Sequence, residues 1–259
     1  MTEMQRRVLV TGGAHRLGQL LCTQFARAGW EVWCHYQRSM NQAQALCASL
    51  RAEGHEAHAV QADLASEDDR GAMLNEVQAK SGALHCLVNN ASSFEPDTGD
   101  AMDINAARQQ IEVNLLAPLS LSSLMAQSLS ADEPAGERSV IHVLDQKVFN
   151  LNPDYFSYTV TKLALERAVA LQAQALAPRI RVCGVAPGLM YLSGPQTQAN
   201  FDQAARVNLL RQPIDPAQVA ATCLFLAQNP CITGTTLSVD NGQHLVPLQR
   251  DVMFMVPPT

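Results

Sequence analysis

A chain of 259 residues with 47% hydrophobic content can bury a large core and suits one α/β domain rather than two. Its formal charge of -6, with 16% charged residues and no run of Lys or Arg, argues against a nucleic-acid or anionic-membrane surface and for a small-molecule partner. No signal-peptide pattern is read in MTEMQRRVLV and no apolar stretch approaches about eighteen residues, so a soluble, cytoplasmic protein is expected.

Short β-branched runs alternate with helical patterns along the chain. RRVLVTG precedes a helix over 16–28, EVWCHY one over 40–53, EAHAVQAD one over 66–81, and LHCLVNNAS one over roughly 103–130. RSVIHVLD then precedes a helix over 155–177, RIRVCGVAPG an irregular insert with a helix, 216–228 reads as helix, and TTLSVDNG supplies a last strand. Strands apolar on both faces and separated by helices predict a doubly wound, Rossmann-type parallel sheet of about seven strands. Residues 1–245 are expected to form this dinucleotide-binding and catalytic domain, and 246–259 an extended C-terminal extension. The seven cysteines form no CxxC pair and read as buried, reduced thiols.

The turn after the first strand is TGGAHRLG, where backbone amides are expected to meet a dinucleotide pyrophosphate. Gly12 and Gly18 provide the tight turn and the close helix packing, with Leu17 beside them, while Arg16 stands where the usual middle glycine would be. An arginine there aims a planar cation at phosphate or at substrate. The second strand ends HYQRS without the acid that binds an unphosphorylated ribose. Arg38 and Ser39, with Tyr36 beside them, suit a 2'-phosphate, which makes NADPH the expected cofactor. Asp63 and Leu64 are placed at the adenine edge, and Asn90 and Ala91 under the adenosine ribose.

TGGAHRLG, NNAS, Asn114 in EVNLLAP, YTVTK and VAPG, in this order and spacing, resemble the short-chain dehydrogenase/reductase family over about 6–245. HYQRS, NNASSF and an acid at 145 narrow the resemblance to the pteridine reductases and the related dihydromonapterin reductases. The resemblance implies that Tyr158 donates a proton and that Lys162 binds the nicotinamide ribose and lowers the tyrosine pKa. It implies further that Asn114 helps hold a relay water, and that Phe94 stacks on a pterin. Arg16 and Ser92 would contact pterin and cofactor phosphates, with Pro187 and Gly188 on the cofactor side. It also suggests a homotetramer, in which Arg250 and VMFMV of the extension pack on a neighbouring subunit.

In the larger family a serine stands thirteen residues before the tyrosine; here the residue is Asp145. A carboxylate accepts from the N–H and amino groups of a pterin edge and favours the protonated, donating phenol. Leu189, Met190, Tyr191 and Leu192 are expected to wall the substrate pocket. His55 and His58 lack the company of a metal site, and none is expected. The reading is an NADPH-dependent reductase of a dihydropterin such as dihydromonapterin, dihydrobiopterin or dihydrofolate. The alternatives are a carbonyl reductase tolerating Asp145 and a non-catalytic NADP(H)-sensing protein.

Overall fold

The computed structural model describes residues 5–130, 134–194 and 196–256. Seven parallel strands, β1 (Arg7–Val10), β2 (Glu31–Tyr36), β3 (Ala57–Gln61), β4 (Cys86–Asn89), β5 (Arg138–Val143), β6 (Ile180–Pro187) and β7 (Thr236–Val239), form one sheet in the order β3-β2-β1-β4-β5-β6-β7. The connecting helices are α1 (Arg16–Arg27), α2 (Met40–Ala52), α3 (Glu67–Ser81), α4 (Ile104–Ile111), α5 (Ala117–Gln127), α6 (Phe156–Leu176), α7 (Gln198–Ala204), α8 (Pro216–Gln228) and the single turn α9 (Val252–Met255).

The two-residue period of a strand explains why both sheet faces carry helices. Val8, Val10, Val32, Cys34, Val88 and Ile141 face one way and pack with Leu21, Phe25, Leu46 and Leu226 of α1, α2 and α8. Leu9, Trp33, Leu87, Val140 and Val182 face the other way, against Met73, Leu121 and Leu165 of α3, α5 and α6. Six of the cysteines are buried in these layers, whereas Cys231 is exposed, contrary to the expectation for all seven.

β1 pairs with β2 on one side and β4 on the other, so the chain reverses its winding direction between them. Loops leaving the carboxyl ends of β1 and β4 therefore diverge to opposite faces and open a crevice, which is where ligands bind in sheets of this kind.

The expected long helix over 103–130 is interrupted. A π-helical segment, Glu112–Leu116, separates α4 from α5 and carries Asn114. Such bulges re-aim a side chain at the cost of regular hydrogen bonding and recur at functional sites.

The segment after β7 also departs from expectation. It turns back through a 3-10 turn, Gln243–Leu245, and ends in α9 with Val252 and Met253 buried against its own chain. Arg250 donates to both carboxylate oxygens of Asp154 at 2.7–2.9 Å, and Asn200 Nδ2 donates to the Met253 carbonyl at 3.0 Å. Arg250 is thus paired within the chain.

Candidate active site

Residues from all the strand-end loops near the switch point line a cleft of about 450 Å³, among them Gly12, Arg16, Leu17, Gly18, Asp63, Leu64, Asn90, Ala91, Ser92, Phe94, Asp145, Tyr158, Lys162, Pro187, Gly188 and Tyr191. The turn after β1 is the tightest part. Gly12 lies at φ 61°, and a Cβ on Gly18 would collide with the Gly12 carbonyl oxygen. Arg16 lies at φ 48°, the left-handed conformation glycine adopts without strain, so the arginine occupies glycine's place in conformation as well as in sequence. Its guanidinium donates to the Leu192 carbonyl at 3.4 Å and lies 5.7 Å from the centre of the Tyr191 ring.

Thr11 ties this turn to the loop after β4. Its Oγ1 accepts from the amides of Asn90 (2.9 Å) and Ala91 (3.0 Å), and Asn90 Nδ2 donates to the carbonyls of Thr11 and Gly12 at 2.9 and 3.2 Å. His35 secures the other flank: its Nδ1 accepts from the Gly12 amide at 3.0 Å, which leaves Nε2–H to donate to the Ala62 carbonyl at 3.2 Å. Burial lowers its pKa to about 4, so the imidazole is neutral, as these roles require.

No role is assigned to His35 by the sequence motifs, although a histidine within the otherwise apolar end of EVWCHY is a signal. Tyr36 is corrected in turn: its ring is buried in the core, and His35 and Gln37 line the cleft instead. Arg38 is exposed and Ser39 is the N-cap residue of α2; neither lines the cleft itself.

The helix starts fit a dinucleotide. α3, α4, α7 and α8 begin with Ser66, Asp103, Thr197 and Asp215 capping first-turn amides. α1, α2, α5 and α6 have no side-chain cap, and α1 starts at the cleft with Arg16, Leu17 and Gly18. Uncapped amides at the positive end of a helix suit a phosphate.

Beyond this lies the reacting end. Asp145, just past β5, accepts the Tyr158 hydroxyl through Oδ2 at 3.0 Å and the Lys147 amide through Oδ1 at 2.8 Å. Burial pushes the Asp145 carboxyl pKa up. Burial, followed by the charge and hydrogen bond of Asp145, pushes the Tyr158 phenol well above its ordinary value. Lys162 Nζ lies 5.6 Å from the centre of the Tyr158 ring and donates to the Val143 carbonyl at 2.8 Å, with its own pKa lowered to about 8 by burial. Burial and the Asp145 carboxylate thus outweigh the downward draw expected of Lys162, and the phenol keeps its proton.

Asn114 accepts from the Ser93 amide at 2.7 Å and from Ser92 Oγ at 3.2 Å, and donates to the Ser93 carbonyl at 2.8 Å and to Thr161 Oγ1 at 3.2 Å. It holds the loop that carries Ser92 and Phe94. The Phe94 ring stacks on Tyr155 at 4.1 Å and meets Tyr158 edge-on at 4.6 Å.

A second chamber of about 220 Å³ adjoins the cleft at Arg16, Asp145 and Tyr158, its wall completed by Leu189, Met190, Tyr191, Gln146, Lys147, Gln243, Asp251, Val252 and Met253. The tail residues of this wall were not anticipated; nothing in VPLQRDVMFM distinguishes them. Lys147, two residues from Asp145, was a legible signal that went unused. His58, by contrast, stacks on Trp33 at 4.6 Å and faces Glu31 at 3.3 Å, away from the cleft.

The sequence pattern of the short chain dehydrogenases matches residues 6–204, and the chain belongs to that family. Pteridine reductase 1 of Leishmania tarentolae is 32% identical over 279 residues, covering 92% of this chain and 96% of that protein. The 3-oxoacyl-acyl-carrier-protein reductase FabG of Staphylococcus aureus is 28% identical over 251 residues, covering 94% and 100%. Among solved structures, FolM Alternative dihydrofolate reductase 1 from Brucella canis, complexed with NADP, superposes with a TM-score of 0.88 at 35% identity, covering 93% of this chain and 95% of that one. A short chain dehydrogenase from Burkholderia cenocepacia, also in complex with NADP, gives 0.85 at 28% identity, covering 93% and 98%. The chain is an oxidoreductase of this family, in its pteridine reductase-like group.

Proposed function

We propose that the protein is an NADPH-dependent reductase of a dihydropterin C=N bond. The observation that carries the reading is Asp145, which takes the place of a hydroxyl donor and is hydrogen-bonded to Tyr158 at 3.0 Å, beside Phe94. A carbonyl oxygen needs donors only; a pterin edge also presents N–H and amino groups, which a carboxylate accepts. Similarity to pteridine reductase 1 and to FolM supports the same reading.

The cofactor fits the cleft through the glycine cradle, the uncapped start of α1 and the absence of an acid after β2. When bound, it supplies the hydride. Arg38 and Ser39 hold its 2'-phosphate, and Lys162 its nicotinamide ribose. Tyr158 holds a proton at its hydroxyl and releases it to the substrate nitrogen; Lys162 and Asp145 oppose one another in setting how readily it does so. Phe94 and Arg16 hold the flat heterocycle, and Asn114 fixes the loop beneath it.

A second reading, carbonyl reduction, is favoured by the similarity to FabG. An NADPH-oxidation assay across dihydromonapterin, dihydrobiopterin, dihydrofolate, biopterin and several ketones separates the two. Turnover of dihydropterins and little of ketones is expected; ketones alone would overturn the proposal. Assembly is part of it: Ile104, Ile111 and Leu116 around α4 and α5, with Phe156, Val160 and Leu171 on α6, expose apolar surface suited to a homotetramer.

A further inference from the structure

The turn that carries Asp145 also carries a buried cation. Lys147, 2% exposed, donates through its ammonium to Asp251 Oδ2 at 3.1 Å, Asn152 Oδ1 at 2.7 Å and the Asp154 carbonyl at 3.0 Å. Three acceptors match the three donors of an ammonium, so its position is fixed and no donor is left for a ligand. Through its backbone amide the same residue donates to Asp145 Oδ1 at 2.8 Å, which leaves Oδ2 for the Tyr158 hydroxyl at 3.0 Å. The tail is pinned to this turn a second time, because Asp154 is held by the Arg250 guanidinium and by the Asp251 amide at 2.6 Å. Burial pushes the Asp145 carboxyl pKa up, the Lys147 amide and charge draw it down, and the charge of Asp251 pushes it up again. Among the other charged groups, Lys162 of α6 and Arg16 of the turn after β1 line the cleft around Asp145, and Asp154 is taken by Arg250. His244 of the 3-10 turn is taken by Asp240 at 2.7 Å, and the Tyr155 ring centre lies 5.5 Å from the Lys147 ammonium.

Resting on the pterin reading, we infer that Lys147 is a positioning residue for the reaction, which, with Asp251 of the tail as its counter-charge, keeps Asp145 an ionised acceptor for the Tyr158 hydroxyl and the substrate. A protonated Asp145 becomes a donor at one oxygen and loses that capacity. A buried ammonium that touches no ligand still acts on a neighbouring carboxylate through its charge, and opposes the effect of burial. Asp251 weakens that action from the far side of the ammonium, so Lys147 and Asp251 set the charge of Asp145 in opposite senses.

The test is the pH profile of kcat/KM for a dihydropterin at saturating NADPH, whose acid limb follows Asp145 when the ionised form is the active one. Titration of the substrate itself is common to every variant, so differences between profiles belong to the protein. Lys147→Met removes a positive neighbour and should move the limb up by about one pH unit; Asp251→Asn removes a negative one and should move it down by about as much. Lys147→Arg, which keeps the charge, should leave the limb near its wild-type position, and KM for NADPH should be unchanged in all three. Infrared spectra, in which the C=O band of protonated Asp145 is identified by its loss in Asp145→Asn, should show the same opposite displacements without substrate. Limbs that coincide with wild type, or that move the same way in Lys147→Met and Asp251→Asn, overturn the inference. Should Lys147→Met not fold, Asp251→Asn decides alone, since Arg250 and Asp154 still hold its tail. No turnover with any dihydropterin would remove the pterin reading, while the infrared titration decides separately whether Lys147 sets the charge of Asp145.

Discussion

Replacing Asp145 by Ser restores the residue common in the larger family and removes one of the two oxygens the carboxylate offers. Those oxygens now serve separate donors, the Tyr158 hydroxyl at 3.0 Å and the Lys147 amide at 2.8 Å. A single serine oxygen cannot serve both as the carboxylate does. Loss of one hydrogen bond to a charged group costs about 1.5–3 kcal/mol, which corresponds to roughly 10- to 150-fold in rate. The loss should fall on kcat for dihydropterin, with NADPH affinity little changed, because Asp145 lies at the reacting end of the cleft. Steady-state kinetics with both substrates varied, beside Tyr158→Phe as the variant without a phenolic proton, provides the measurement. Wild-type dihydropterin turnover in Asp145→Ser, with none in Tyr158→Phe, would refute the reasoning and reduce Asp145 to a turn residue.

Arg38→Asp should weaken NADPH and spare NADH, measured as the ratio of kcat/KM for the two; equal efficiency in the unmutated enzyme would contradict a phosphate site there. His142 is fully buried between Asn89 and Gln172, with a pKa lowered from 6.5 to about 4 by burial. A folded-state pKa below the unfolded one gives stability that is present above about pH 6.5 and lost as pH falls toward 4. The stability advantage of wild type over His142→Gln should therefore shrink across that window in denaturant titrations, and a constant difference would contradict it. Light scattering at micromolar concentration should report a homotetramer; a mass near 28.1 kDa would show a monomer.

What could be read from the sequence was what local patterning encodes. Alternating runs such as RRVLVTG and EVWCHY carry the sheet because each strand buries both faces, and TGGAHRLG carries the turn because a Cβ at position 18 meets a carbonyl oxygen. The π-helical turn at Asn114 was not legible, since its cause is tertiary: the Asn114 side chain is claimed by Ser92, Ser93 and Thr161. The folded tail was hidden for the same reason. Asp251 finds its buried partner Lys147 more than a hundred residues earlier, and Met253 Sδ receives the Tyr155 hydroxyl at 3.1 Å. Tyr36 was misplaced by strand parity: one position along β2 separates the cleft from the core, and His35 took the cleft.

The central claim is that hydride from the nicotinamide reaches the carbon of a pterin C=N bond while Tyr158 supplies the proton to nitrogen. Incubating the enzyme with NADPH deuterated at the transferred position and a dihydropterin, then weighing the product by mass spectrometry, tests it directly. The account predicts a tetrahydropterin carrying one carbon-bound deuterium that survives exchange in water. NADPH oxidised by a ketone with deuterium in the alcohol, and no labelled tetrahydropterin, would contradict it.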